Sequence, residues 1–181
     1  MQLENKVVIV TGAGSGIGAA TAILCAANGA KVVVSDVNSA NAQNVVNGII
    51  EAGGNALVVK SDVTKYKDVE NLINSTVGVF GRLDVIVNNA GIGPKRMVKV
   101  ADHTLEDWDK VIAVNQTGVF YCMKLAIAQM LKNGGGNIVN VNVTNSLDQC
   151  VDKKQKSKLR VDNSSSNTNL NLAVQKYDKE W

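Results

Sequence analysis

Proline occurs once in this chain, at Pro94, and aromatic residues make up only 4% of it. A single proline in a loop-like stretch leaves no Pro-rich linker to divide the chain. The scarcity of aromatics matters most at Lys153-Lys154-Gln155-Lys156-Ser157-Lys158, where none is interleaved with the basic residues. That stretch therefore reads as a solvated run rather than a nucleic-acid contact, which needs stacking platforms. The cysteines Cys25, Cys122 and Cys150 are too scattered for a zinc site or a disulfide framework, so free thiols and no metal are expected. A net charge of +3 is mild and gives no argument for a nucleic-acid or membrane partner. No apolar run approaches the roughly 20 residues that span a bilayer. The opening Met1-Gln2-Leu3-Glu4-Asn5-Lys6 shows no basic region followed by a signal-type core, so a soluble cytoplasmic protein is expected.

Glycine supplies the most informative absence. All sixteen glycines lie at or before Gly136, whereas residues 144–181 have none and are dominated by Lys, Asn, Ser, Asp and Gln. Only 11 of those 38 residues are apolar, too few to bury much surface against the entropy of ordering. Two regions follow: an ordered one over 1–143 and a divergent polar tail over 144–181.

Within the first region, short apolar runs alternate with longer helical ones. Lys6 to Val10, Lys31 to Ser35, Ala56 to Lys60, Asp84 to Asn88 and Asn137 to Val143 are brief and rich in β-branched residues, as strands buried on both faces should be. Between them, Gly16 to Asn28, Ala40 to Ala52, Lys65 to Phe80 and Leu105 to Lys132 read as helices. The last begins at Thr104, whose hydroxyl, paired with the Asp107 carboxylate, fits a capping arrangement. Five strands alternating with four helices predict a doubly wound, Rossmann-like α/β fold with a parallel sheet between two helical layers.

The first strand-to-helix turn, Thr11-Gly12-Ala13-Gly14-Ser15-Gly16-Ile17-Gly18, suits a pyrophosphate. Glycines let the backbone approach the ligand, and the helix N-terminus offers free N–H groups and a positive dipole end. A tight glycine turn without a ligand is the alternative. Asp36 closes the second strand, where a carboxylate can take the adenosine ribose hydroxyls and repel a 2′-phosphate. Ser15 and Val37 add no basic group nearby, which favours NAD over NADP. A turn or capping role competes for Asp36, and capping competes equally for Ser61-Asp62-Val63-Thr64, where Asp62 could meet the adenine amine. Asn88-Asn89-Ala90-Gly91 ends the fourth strand on the same edge.

These four segments, in this order, resemble the short-chain dehydrogenase/reductase family over about Lys6 to Val143. The family uses T-G-x-x-x-G-x-G, an acidic residue after the second strand, D-V after the third and N-N-A-G after the fourth. The resemblance implies that Gly12, Gly16 and Gly18, with backbone contacts from Ser15 and Ile17, bind the pyrophosphate region of NAD. It places Asp36 at the ribose, Asp62 and Val63 beside the adenine, and Asn89, Ala90 and Gly91 at the nicotinamide ribose. It also implies an alcohol or ketone substrate, with Gly93, Pro94, Lys95 and Arg96 near the pocket entrance. Asn115 matches the family's helix asparagine, whose backbone carbonyl holds a water of the proton relay.

The rest of the family's chemistry is not in place. Hydride transfer needs a tyrosine of lowered pKa beside the substrate oxygen, a lysine one turn later to lower it, and a serine after the fifth strand. Val143 stands where that serine is expected, and Thr144 is one residue along, a shift that changes sheet face. The downstream tyrosine, Tyr177, is followed four positions later by Trp181, and Lys179 lies at the wrong helical spacing. The sheet is therefore expected to be incomplete after its fifth strand, with Val139 and Val141 and an open strand edge needing cover. The usual homo-oligomer contact would be incomplete too. Leu170, Val174, Tyr177 and Trp181 fall at helical spacing, so the tail is expected to be partly disordered or to form a short amphipathic helix over Asn169 to Trp181. Three readings follow. The tail could derive from a frame change, altered splicing or a gene-model error in a dehydrogenase. The chain could bind NAD(H) without turnover as a regulatory protein. It could be an oxidoreductase using Thr144 or Tyr177.

Overall fold

The structure, a computed structural model, describes residues 1–95, 98–143 and 170–177, the backbone alone for 142, 143 and 170–177. Arg96, Thr144, Cys150, the basic stretch at 153–158, Lys179 and Trp181 lie outside the described residues.

Val-rich runs form the strands. The chain order is β1 (Val7–Thr11), α1 (Gly16–Ala27), β2 (Lys31–Asp36), α2 (Ser39–Glu51), β3 (Asn55–Lys60), α3 (Tyr66–Phe80), β4 (Val85–Asn88), α4 (Leu105–Ile112), a π-helical segment (Ala113–Gly118), α5 (Val119–Lys132), β5 (Gly136–Val143) and β6 (Leu170–Tyr177). The sheet order is β3-β2-β1-β4-β5-β6, and the first five strands are mutually parallel. The chain winds outward from β1 in one direction, returns to it and winds outward in the other. The crevice between β1 and β4 is thus a topological switch point, where open α/β sheets bind ligands.

Alternate residues of β1 build the two cores. Val8 and Val10 pack with Ala22, Ala26, Val46 and Ile49 of α1 and α2, while Ile9 packs with Val69, Leu72, Cys122 and Met130 of α3 and α5. Burial pushes the Cys122 thiol up to about 12, so this cysteine stays protonated and acts as a small apolar core group. The α4-to-α5 span, Leu105–Lys132, is long and apolar enough to cross a membrane by length and composition. Here its buried residues Cys122, Ala126 and Met130 instead face the sheet core. The Thr104 hydroxyl accepts from the Asp107 N–H (3.1 Å), making the expected cap through the hydroxyl half of the pair.

A buried carboxylate fixes the start of the central strand. Asp84, 5% exposed, accepts from the Val7 N–H at 2.9 Å and from the Arg82 guanidinium at 2.6 and 2.9 Å. Asp84→Ala leaves the Val7 amide buried and unpaired, so a loss of about 2 kcal/mol is expected. Urea denaturation checks this: the midpoint should fall with an unchanged slope.

Among the described residues the parallel strands end with β5, as the sequence predicts, and 170–177 are a strand, where a short amphipathic helix is one of the two expectations for the tail. Residues Leu170–Tyr177 form β6, antiparallel to β5, with Val143 opposite Leu170 and Gly136 opposite Tyr177. Two periods coexist in this stretch: Leu170, Val174 and Tyr177 fit a helix, whereas Leu170, Leu172 and Val174 alternate as in a strand. The open backbone donors and acceptors of β5 decide between them, because a strand satisfies that edge and a helix does not. The face beside it remains a groove of about 310 Å³, bounded by Val139 and Val141 with Val85, Val87, Ile17 and Cys25.

Candidate cofactor site

All five parallel strands end at one edge, which gathers the glycine turn, Asp36, Asp62 and Asn88–Gly91. The turn after β1 is compressed against the loop after β4. Gly12 has φ +63°, a conformation that side chains rarely adopt, and a Cβ there would stand 2.7 Å from Ala90 Cα. A Cβ on Gly18 would collide with Gly12 O and Asn89 Nδ2. Gly16 differs: φ is +55°, and nothing lies within 4 Å of where its Cβ would be. Two of the motif glycines thus permit close backbone contact, and the third leaves an open face at the start of α1. The Ser15 side chain makes no cap bond, so it does not occupy that helix N-terminus.

Thr11 joins the two loops. Its hydroxyl accepts from the N–H groups of Asn89 and Ala90, both at 3.1 Å, and donates to Val87 O at 3.3 Å. Asn89 Nδ2 returns two bonds, to Thr11 O (3.0 Å) and Gly12 O (3.1 Å). The Asn89 side chain is therefore spent on holding the turn. Below it, Asn88 Nδ2 donates to Asn140 Oδ1 across the β4–β5 pair at 2.8 Å.

Asp36 bridges the edge sideways. One carboxylate oxygen accepts from Gly14 N–H and the other from Asn38 N–H, each at 2.9 Å. The cap of α2 is Asn38, which accepts from Asn41 N–H, so Asp36 does not fill the capping role considered for it. Each Asp36 oxygen keeps a second lone pair for a ligand hydroxyl.

Asp62 Oδ1 accepts from the Thr64 hydroxyl (2.7 Å) and N–H (3.0 Å), and Lys65 Nζ stands 3.5 Å from Oδ2. Burial alone would raise the Asp62 pKa, but these Thr64 bonds and the Lys65 charge outweigh it and hold the carboxyl below its usual range. Val63 is 7% exposed and packs under Gly118, so its side chain serves the core and leaves its backbone at the ligand edge. The Ile17 side chain is 49% exposed and bounds the apolar groove on the α1 side.

Asn115 lies inside the π-helical segment, where the sequence suggested an unbroken α-helix. Such single-turn bulges shift the helical register and expose backbone groups. Its side chain accepts from Ile92 N–H and donates to Ile92 O, both at 2.9 Å. The loop after Gly91 is thereby tied to the helix as a strand would be. Neither this clamp nor the Thr11 hydroxyl is visible in the spacing of the sequence.

Tyr177 is placed away from this edge. It pairs with Gly136, at the amino end of β5, and seven strand steps of roughly 3.3 Å put its backbone roughly 23 Å from the level of Val143.

A doubly wound sheet with a glycine cradle at its switch point, and a carboxylate closing the neighbouring strand, defines the Rossmann-type class of fold, whose crevice has the form that suits a dinucleotide. The residues fit that ligand: the cradle has backbone contacts a Cβ would abolish and one open glycine face. A family model described as short chain dehydrogenase matches residues 6–153, and the chain belongs to that family. An uncharacterised oxidoreductase of Thermotoga maritima is 45% identical over 142 residues, covering 78% of this chain and 55% of that protein. A 3-oxoacyl-[acyl-carrier-protein] reductase of Synechocystis sp. is 46% identical over 140 residues, 77% of this chain and 56% of that one. The crystal structure of a hydroxysteroid dehydrogenase from Escherichia coli superposes with a TM-score of 0.73 at 36% identity, covering 81% of this chain and 64% of that chain. The chain thus spans about half the length of the curated relatives it matches.

Proposed function

We propose that this chain binds NAD(H) at the β1–β4 crevice, as an oxidoreductase of the short-chain type that holds the cofactor without turning over an alcohol or ketone. The cradle formed by Gly12, Gly18 and Asn89 carries the reading. In it, the N–H groups from Ser15 to Gly18 hold the pyrophosphate, as a helix N-terminus does for anions. Asp36 accepts the ribose hydroxyls and, with neutral Ser15 and Val37 beside it, disfavours a 2′-phosphate, which selects NAD over NADP. Asp62 and the backbone of Val63 border the base. Asn89, Ala90 and Gly91 border the nicotinamide ribose, and Asn115 fixes the loop that follows. When bound, the nicotinamide ring supplies or accepts hydride.

Absence of turnover is supported by two placements. Transfer of hydride from an alcohol carbon must be matched by removal of the hydroxyl proton. Position 143 is valine, which can neither hold nor move that proton. Tyr177 lies at the opposite end of β5. The alternative, a regulatory protein responding to NAD(H), shares the same binding site.

Titration of the full chain with NADH, followed by nicotinamide fluorescence, should give saturable binding, weaker for NADPH. Mixing with NAD and small secondary alcohols should give no absorbance of reduced nicotinamide. A folded sample without saturable binding overturns the cofactor reading; turnover overturns the second half.

A further inference from the structure

Beside Asp36, at the carboxyl ends of β2 and β3, an open cavity of about 500 Å³ is lined by Val37, Lys60, Asp62, Lys65, Asp68 and Asn71. Its wall carries both signs of charge. Asp62 is held from behind: its N–H donates to Asp68 Oδ2 at 3.1 Å, and Oδ1 is taken by Thr64. Oδ2 faces Lys65 Nζ at 3.5 Å, a separation longer than a charge-assisted hydrogen bond. Both groups therefore keep capacity for a third partner. Lys65 caps α3 through its backbone alone, leaving its side chain outside the helix bonding.

A carboxylate next to an ammonium is an acceptor next to a donor. The edge of a purine offers the same two functions in an order that depends on the base. Adenine presents the N6–H donor beside the N1 acceptor; hypoxanthine presents the O6 acceptor beside the N1–H donor. A carboxylate by itself accepts from the adenine N6–H or, with the base shifted by one atom, from the hypoxanthine N1–H, but it leaves O6 without a donor. With the ammonium beside it, O6 gains a donor, whereas adenine already has its N6–H on the carboxylate and does not depend on the ammonium. The low pKa of Asp62 keeps the carboxylate an acceptor at neutral pH.

We propose that Lys65 broadens the base subsite, so that the Asp62–Lys65 pair accepts a 6-oxopurine dinucleotide as well as an adenine one. This rests on the dinucleotide reading above and adds to it a residue that sets base specificity. Lys65 acts by donating to O6, and Lys60, on the same cavity wall, does not replace it.

The probes are NADH and reduced nicotinamide hypoxanthine dinucleotide, titrated into the full chain by nicotinamide fluorescence. The native chain should bind the two within about threefold of each other. Lys65→Met should weaken the hypoxanthine form relative to NADH by about tenfold, the loss of roughly one hydrogen bond at a partly exposed site. Lys65→Arg, which keeps the donor, should retain the native ratio, and Lys60→Met should leave it unmoved. A ratio insensitive to Lys65→Met, a native chain already strongly selective for adenine, or a shift caused by Lys60→Met instead would overturn the proposal while leaving cofactor binding intact. Failure of both dinucleotides to bind the folded chain would overturn the dinucleotide reading and this proposal with it.

Discussion

NADH is expected to show no saturable binding to Gly18→Val, the variant with the largest anticipated loss of affinity. Already a Cβ at position 18 would collide with the Gly12 carbonyl and the Asn89 amide, and neither can retreat cheaply. Gly12 O is backbone in a left-handed turn, and Asn89 Nδ2 is bonded to both Thr11 O and Gly12 O. The start of α1 must therefore move away from β1, carrying with it the N–H groups that face the pyrophosphate. Losing two charge-assisted hydrogen bonds, each worth about 1.5–3 kcal/mol, weakens binding by about 100-fold or more. Gly48→Ala is the matched control. Gly48 lies within α2, with nothing inside 4 Å of its would-be Cβ, so alanine there should add about 0.5–1 kcal/mol of stability and leave affinity unchanged. Tight NADH binding by folded Gly18→Val would mean that the cradle is not where the cofactor sits.

Those glycines were legible because their requirement is local. A strand, a glycine-rich turn and an Ala-rich helix follow one another within about 20 residues. The five parallel strands were legible for a similar reason, since burial on both faces demands continuous β-branched runs such as Val7–Thr11 and Lys31–Asp36. What escaped depends on neighbours far along the chain. Thr11 meets Ala90 across 79 positions, and Asp84 meets Val7 across 77. Nothing in either neighbourhood marks those side chains as bonded. The π-helical segment escaped because one inserted residue hardly disturbs an apolar helical pattern, and the Asn115–Ile92 clamp escaped with it. In the tail the local signal was ambiguous: helical and strand spacing shared the same residues, and the unsatisfied edge of β5, a tertiary fact, selected the strand. That selection carries a functional consequence, because an antiparallel return from Leu170 takes Tyr177 down the sheet, away from the edge that gathers the cofactor residues.

Thr11→Val should be the most costly single change to the stability of the site, even though it exchanges side chains of nearly equal size. Thr11 is 1% exposed, and its hydroxyl is the acceptor for two amide donors, Asn89 N–H and Ala90 N–H, while donating to Val87 O. Valine fills the space and supplies no acceptor. Ala90 N–H is left without its acceptor, while Asn89 N–H keeps its second bond, to Val87 O at 3.1 Å, so a loss of about 1–3 kcal/mol is expected. Thr11→Ser separates the hydroxyl from the methyl group: it keeps all three bonds and gives up one buried carbon, worth about 1 kcal/mol. Urea denaturation should therefore rank the proteins native, Ser, Val. Affinity should follow the hydroxyl as well. Without it, the loop keeps the Asn89 Nδ2 bonds to Thr11 O and Gly12 O but loses the hold on Ala90, so NADH should bind Thr11→Val about tenfold more weakly and Thr11→Ser nearly as the native chain does. Equal stability of the Ser and Val variants would show that methyl packing, rather than the hydroxyl, joins the two loops, and the account of how β1 and β4 form one site would have to be abandoned.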